Sequence, residues 1–306
     1  MTLADFRRTR AQIQPHIQLT PIIPSEFPNV FLKLENLQYT HSFKVRGAFA
    51  HVLELVARED KRTILTVSAG NHGQAVARAA ATFGLPCVVV VPVNAPKTKI
   101  EAIRSYGVEL RIEGANYDAA EAWALEKAAD SERYAFISPY NDRLVVLGQG
   151  SIGLEILEQF PAVKAILIPI GGGGLAAGVA AVVKQLAPQV RLVGVQAEAS
   201  AAIYHSLQAG RMITVADRPS IADGIAGNID PCTITFPLIQ KYLDDVVLVS
   251  EHEIKAGIKD LLHREKLLAE GSAAAAYAAA TTGKISTAGC TVVILTGGNI
   301  DTVPVC

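Results

Sequence analysis

The sequence predicts an α/β protein of two domains, each built on a mainly parallel sheet flanked by helices. Three observations lead there. Runs such as Thr63–Val67, Pro86–Val91, Ala165–Ile170 and Thr291–Leu295 are almost continuously apolar, as strands covered on both faces must be. Stretches with apolar residues at every third or fourth position alternate with them, the pattern of parallel strand–helix–strand units. Two strands also run directly into turns, Ser68–Gly73 and Gly171–Gly174, that open the next helix.

In chain order, residues 3–17 read as an amphipathic helix, and the prolines of Leu19–Pro24 cannot continue it. Val30–Leu34 is a short strand, and Gly47–Val56 has helical propensity and spacing. Thr63–Val67 leads through Ser68–Gly73 into an alanine-rich helix ending at Phe83. Pro86–Val91, Val108–Ile112 and Tyr134–Ile137 are further strands, separated by helices over Pro96–Tyr106 and Tyr117–Ser131. A second series follows: helix Gly150–Phe160, strand Ala165–Ile170, helix Leu175–Leu186, strand Val190–Val195 and helix Ala199–Gln208. Strand Asp245–Val249, helices Glu251–Lys266 and Ser272–Ala280, and strand Thr291–Leu295 complete it. Arg211–Phe236, punctuated by glycine and proline, reads as an ordered loop. The site is expected in the cleft between the two domains.

Composition narrows the function. With 306 residues, 50% of them hydrophobic, the chain buries a large core. The 28 basic and 29 acidic residues leave a net charge of −1 with no run of like charge, which argues against a nucleic-acid or polybasic membrane role. Small molecules are the expected partners. Cys87, Cys232, Cys290 and Cys306 show neither metal-ligand nor disulfide spacing, so reduced thiols and a cytoplasmic location are expected. Neither a signal segment nor an apolar stretch of about 18 residues is present.

Chemistry concentrates at strand ends. Lys44, placed between an aromatic residue and a helix start, is expected to lose hydration and feel the positive end of the helix dipole. Both effects favour its neutral amine, so Lys44 is a candidate for a Schiff base to an aldehyde cofactor; the competing reading is a surface lysine. Gly171–Gly174 brings backbone N–H groups to a helix N-terminus, a phosphate cradle without the lysine of a nucleotide-binding loop, or else a glycine hinge. Ser68-Ala-Gly-Asn71-His72-Gly73 suits a carboxylate, with Asn71 as side-chain donor or helix cap and His72 as base or structural hydrogen-bonder. Thr296 offers a hydroxyl after the last strand, for a heteroaromatic nitrogen or for its own turn.

Together, Lys33-Leu-Glu-Asn-Leu-Gln-x-Thr-x-Ser-Phe-Lys-Val-Arg-Gly-Ala48, Ser68-Ala-Gly-Asn-His-Gly-Gln74, Gly171–Gly174 and Thr296 resemble the fold type II pyridoxal-phosphate enzymes, most closely their serine/threonine dehydratase and serine racemase branch. The resemblance implies a tryptophan-synthase-β-like architecture. Residues 1–60 plus 143–306 would form a large cofactor-binding domain, and residues 61–142 a small substrate-loop domain. It implies pyridoxal 5′-phosphate on Lys44 beside Phe43, its 3′ oxygen bonded by Asn71, its phosphate held by Gly171, Gly172, Gly173, Gly174 and the Leu175 backbone, and Thr296 near its pyridine nitrogen. Ser68, Ala69, Gly70, Asn71 and His72 would hold the amino-acid substrate, with His41 and Ser42 close by. A homodimer is also implied.

A neutral hydroxyl at Thr296 leaves the ring a weaker electron sink than a carboxylate would, which suits elimination. The implied reaction removes the Cα proton with Lys44, expels the β-hydroxyl with acid help from the cofactor phosphate, and yields a 2-oxo acid and ammonia. Four departures bear on it. Ala69 stands where serine racemases carry a second acid/base serine, so dehydration is expected over racemisation. Gln196 and Ala202 stand where some members place acidic metal ligands, and Glu198 alone is too little, so no divalent metal is expected. His41 replaces a usual glycine, which leaves the β-substituent open. The chain stops at Cys306, so no regulatory domain and no feedback inhibition are expected. Racemisation, β-replacement and, from another class, a non-catalytic amino-acid-binding protein are the competing readings.

Overall fold

The computed structural model describes residues 1–216 and 218–300; the reading drawn from Cys306 lies outside them. The chain opens with α1 (Leu3–Ile13), where Thr2 and Asp5 cap each other reciprocally. This helix is shorter than expected because Pro15 tightens Gln14–His16 into a 3-10 turn. Inside the proline-rich stretch, β1 (Ile22–Pro24) pairs antiparallel with β2 (Val30–Lys33), and Pro24 is tolerated because β1 is a sheet edge. Next comes α2 (Lys44–Ala57), which begins at the lysine itself.

The alternation then runs β3 (Thr63–Val67), α3 (Asn71–Thr82), β4 (Cys87–Val91), α4 (Lys97–Arg104), β5 (Glu109–Ile112), α5 (Tyr117–Ala128) and β6 (Tyr134–Phe136). The second series is α6 (Arg143–Gln159), β7 (Ala165–Pro169), α7 (Gly174–Leu186), β8 (Arg191–Ala197), α8 (Ala202–Ala209), α9 (Thr235–Tyr242), β9 (Asp245–Val249), α10 (Glu251–His263), α11 (Gly271–Thr281) and β10 (Thr291–Ile294). Two departures from expectation have local causes. α6 starts well before Gly150 because Asp142 accepts from the N–H groups of Leu144 and Val145. Its glycines serve helix contact: a Cβ on Gly148 would lie 2.5 Å from the Arg46 carbonyl oxygen of α2. α9 was hidden by Pro237, which the first turn of a helix accommodates.

The strands form two sheets. The larger has the order β1-β2-β10-β7-β8-β9, parallel except for β1, and the smaller β5-β4-β3-β6 is parallel throughout. Alternate residues of the larger sheet face opposite layers. Ile166, Ile168, Val292 and Ile294 pack with α7, while Leu167, Val195 and Val293 pack with α11. The alanine-rich α11 is buried from Gly271 to Ala280, as expected of a helix apolar on every side. α2 packs toward the smaller sheet. Its Val45, Ala48, Phe49 and Val52 share a core with Ile64, Ala75 and Val89 of the smaller sheet's layer, because its apolar face turns toward α3.

Beneath the start of α2 lies a fully enclosed set of two cations and two anions. Arg46 donates to both oxygens of Glu35, at 2.7 and 2.8 Å, and to both of Glu155, at 2.6 and 2.9 Å. Lys33 donates to Glu155 at 2.6 Å and to the Thr20 carbonyl at 2.7 Å. Burial alone would raise the Glu155 carboxyl, but Arg46 and Lys33 hold it below the usual range. Among the described residues no helix is long and apolar enough to cross a membrane.

Candidate active site

A cavity of about 690 Å³ lies at the carboxyl ends of β3, β4, β7 and β10, lined from both sheets. Lys44 reaches it from the first position of α2. Its Nζ donates to the Pro139 carbonyl at 2.9 Å and lies 5.3 Å from the centre of the Phe43 ring. Burial lowers the ammonium to about 8, against the opposing charge of Glu270.

The lysine turn is stitched to the end of the last strand. Phe43 N–H donates to Thr296 O at 3.0 Å, Gly298 N–H to His41 O at 2.9 Å and Asn36 N–H to Leu295 O at 2.9 Å, and Ser42 bridges Gly297. Thr296 is thereby placed at the cavity wall, 3% exposed, and its hydroxyl has no hydrogen-bond partner among the described residues.

Asn71 is the first residue of α3 rather than its cap, which is Gly70. Its Nδ2 donates to Glu270, at 2.8 and 3.0 Å to the two oxygens, and its Oδ1 accepts from Asn299 Nδ2 at 2.7 Å. His72 is 3% exposed and donates through Nε2 to Ile137 O at 3.1 Å. Burial, with Lys44 nearby, lowers it to about 3, so it is a neutral ring that offers no positive charge to a carboxylate. Ser68, Ala69 and Gly70 line the cavity, and the Ser68 hydroxyl accepts from Gly70 N–H at 3.1 Å.

Gly171, Gly172, Gly173, Gly174 and Leu175 form the opposite wall. Gly173 adopts φ +86°, a left-handed conformation that turns β7 into α7. The first turn of α7 leaves its N–H groups without helical acceptors. His41 and Ser42 are also expected beside the substrate. Neither lines the cavity: His41 is exposed, with φ +53° where glycine would be unstrained, and Ser42 is buried in the bridge to Gly297.

Residues 13–297 match the family described as pyridoxal-phosphate dependent enzyme. The chain belongs to that family. It is 39% identical over 308 residues to an L-threonine ammonia-lyase of Thermotoga maritima, covering 98% of this chain and 76% of the relative. Its fold matches the solved threonine deaminase of T.th. with a TM-score of 0.89 at 33% identity, covering 99% of this chain and all of that one. It matches maize serine racemase with a TM-score of 0.91 at 31% identity, covering 98% and 94%.

The family's cofactor fits the wall described. Lys44 would supply the amine for its aldehyde, the Thr296 hydroxyl, without a partner among the described residues, would meet its ring nitrogen, and the N–H groups at the start of α7 would meet its phosphate. The cradle tolerates no side chain: a Cβ at Gly172 would lie 2.2 Å from the Tyr140 ring, and one at Gly173 2.5 Å from Ile239. Gly172→Ala is expected to lower the cofactor content of the purified protein about tenfold, equivalent to roughly 1.4 kcal/mol. Cofactor released by acid and quantified per chain checks this; wild-type content in the variant would remove the turn from the site.

Three residues of the site escaped sequence reading. Glu270 looks like an ordinary acid before an apolar helix, Asn299 like a turn residue, and Ser272 like one polar residue in an alanine run. Ser272 nevertheless lines the cavity with a buried hydroxyl that has no partner among the described residues.

Proposed function

We propose that the protein is a pyridoxal-phosphate dependent ammonia-lyase that dehydrates a β-hydroxy amino acid of the L-threonine or L-serine type to a 2-oxo acid and ammonia. The observation that carries this reading is the pairing of one buried amine, Lys44, with a substrate loop whose middle residue, Ala69, has no proton to give. The named ammonia-lyase and deaminase relatives support it.

When bound, pyridoxal phosphate supplies an aldehyde for the substrate amine and a ring that withdraws electrons from Cα. Lys44 Nζ, its hold on a proton weakened by burial, takes the Cα proton. Ser68, Gly70 and the N-terminal N–H groups of α3 hold the substrate carboxylate by hydrogen bonds, because His72 is uncharged. Thr296 donates a neutral hydrogen bond, which limits how far electrons accumulate at the ring and favours loss of the β-hydroxyl as water. The released enamine then hydrolyses to the 2-oxo acid and ammonia. The 61–142 segment carries the substrate loop, and the remainder of the chain carries most of the cofactor wall.

The test is product analysis with L-threonine and L-serine. Equal amounts of 2-oxo acid and ammonia are expected; conversion to the D-amino acid without 2-oxo acid would overturn the reading in favour of racemisation. Ala69→Ser is expected to raise the D-product measurably above the wild-type level while dehydration continues, because a hydroxyl then joins the loop. We further propose a homodimer. Its support is the apolar surface of Leu19, Leu37 and Tyr39, 63%, 47% and 38% exposed, around the paired Gln18 and Gln38. A cytoplasmic location fits the free thiols of Cys87, Cys232 and Cys290.

A further inference from the structure

Glu270 is the acid of the cavity that the reaction above leaves unused. It is 6% exposed at the head of α11. Its partners are neutral. Asn71 Nδ2 donates to both carboxylate oxygens. Asn299 Nδ2 closes the ring by donating to Asn71 Oδ1 at 2.7 Å and to Thr40 O at 2.8 Å, while Glu270 N–H donates to Gly297 O at 3.0 Å. The Asn71 amide is therefore held at both ends, with oxygen toward Asn299 and nitrogen toward Glu270.

We propose that Glu270 is a positioning residue with two tasks: it fixes which way the Asn71 amide faces, and its negative charge sets how firmly Lys44 keeps a proton. The inference rests on the cofactor reading above. Glu270 lines one cavity with Lys44 from α2, Lys99 from α4 and Asp223 from the Asp223–Ile225 turn, the charged groups that act on Glu270 and Lys44. Burial, reinforced by Asp223, raises the Glu270 carboxyl to about 7, while burial lowers Lys44 to about 8. Two groups whose charges interact by about a pH unit or more titrate as a pair. An ionised Glu270 favours the ammonium of Lys44, and a protonated one favours the amine. Only the amine attacks an aldehyde, so Glu270 governs the pH at which the site captures its cofactor.

The experiment uses cofactor-free enzyme of wild type, Glu270→Gln and Glu270→Asp. The rate at which each captures added pyridoxal phosphate is followed from about pH 6 to 9, fixing the bond with borohydride and weighing the intact chain. Capture joins Lys44 Nζ to the aldehyde carbon and releases one water, and its rate should rise with pH as the ammonium loses its proton. Removing the carboxylate charge should move the midpoint down by about one pH unit, so that below it Glu270→Gln captures the cofactor up to about tenfold faster than wild type. Glu270→Asp should keep the wild-type midpoint. A Glu270→Gln midpoint that is unmoved or higher overturns this inference alone. A wild-type chain that captures no cofactor on Lys44 overturns both this inference and the reading on which it rests.

Discussion

Lys44→Ala is expected to lower kcat/KM for dehydration by on the order of 10³-fold or more, about 4 kcal/mol of transition-state stabilisation. The loss is large because one nitrogen has two duties, bonding the cofactor and taking the Cα proton. The neighbours are poorly suited to the second: His72 is a weak base, lowered to about 3 by burial and by Lys44 itself, and both oxygens of Glu270 accept from Asn71. The Pro139 carbonyl, which Lys44 contacts at 2.9 Å, accepts hydrogen bonds but cannot act as a base at neutral pH. Release of 2-oxo acid gives the first readout, and the mass of the borohydride-treated chain gives the second. Activity within tenfold of wild type, or a reducible cofactor bond that survives in the variant, would refute the assignment.

Arg46→Met should destabilise the protein by about 3–5 kcal/mol, because it strips the shared cation from two buried carboxylates. Glu155 retains Lys33, but Glu35 is left with the Thr20 hydroxyl as its side-chain partner. At this chain length the change should lower Tm by roughly 10 °C. The triple variant Arg46→Met, Glu35→Gln, Glu155→Gln should recover part of the loss, since no uncompensated carboxylate remains. Thermal unfolding followed by circular dichroism checks both; a single variant within about 1 kcal/mol of wild type would show that the set contributes little. Because Arg46 lies in the first turn of α2, loosening it also frees the turn that aims Lys44.

Much of this was legible in the residues. Apolar runs such as Thr63–Val67 and Ala165–Pro169 declared buried parallel strands because burial on both faces leaves a strand no room for polar alternation. Lys44, the glycine turn and Thr296 could be singled out because strand ends in such sheets are where backbone groups are free to bind. What stayed hidden depends on distant packing. The Glu270–Asn71 contact joins positions 199 residues apart, and no local pattern records it. His41 shows the converse: proximity in sequence to Lys44 suggested a pocket residue, but the left-handed backbone at Thr40 and His41 turns its side chain to solvent. The same limit hid the orientation of α2, whose apolar positions mark a buried face without naming which sheet covers it.

The place of β10 in the larger sheet has a consequence for synthesis. Although last in the chain, this strand is inserted between β2 and β7, near the sheet's middle, and the loop beyond it supplies Thr296 and Asn299. A nascent polypeptide still short of residue 291 thus has an open gap where β2 and β7 await their common neighbour, and the Thr296 carbonyl that anchors the lysine turn is missing. Vitamin loading must follow, not guide, the emergence of most of this chain from the ribosome, and until then the unfilled strand edges are exposed to misassociation.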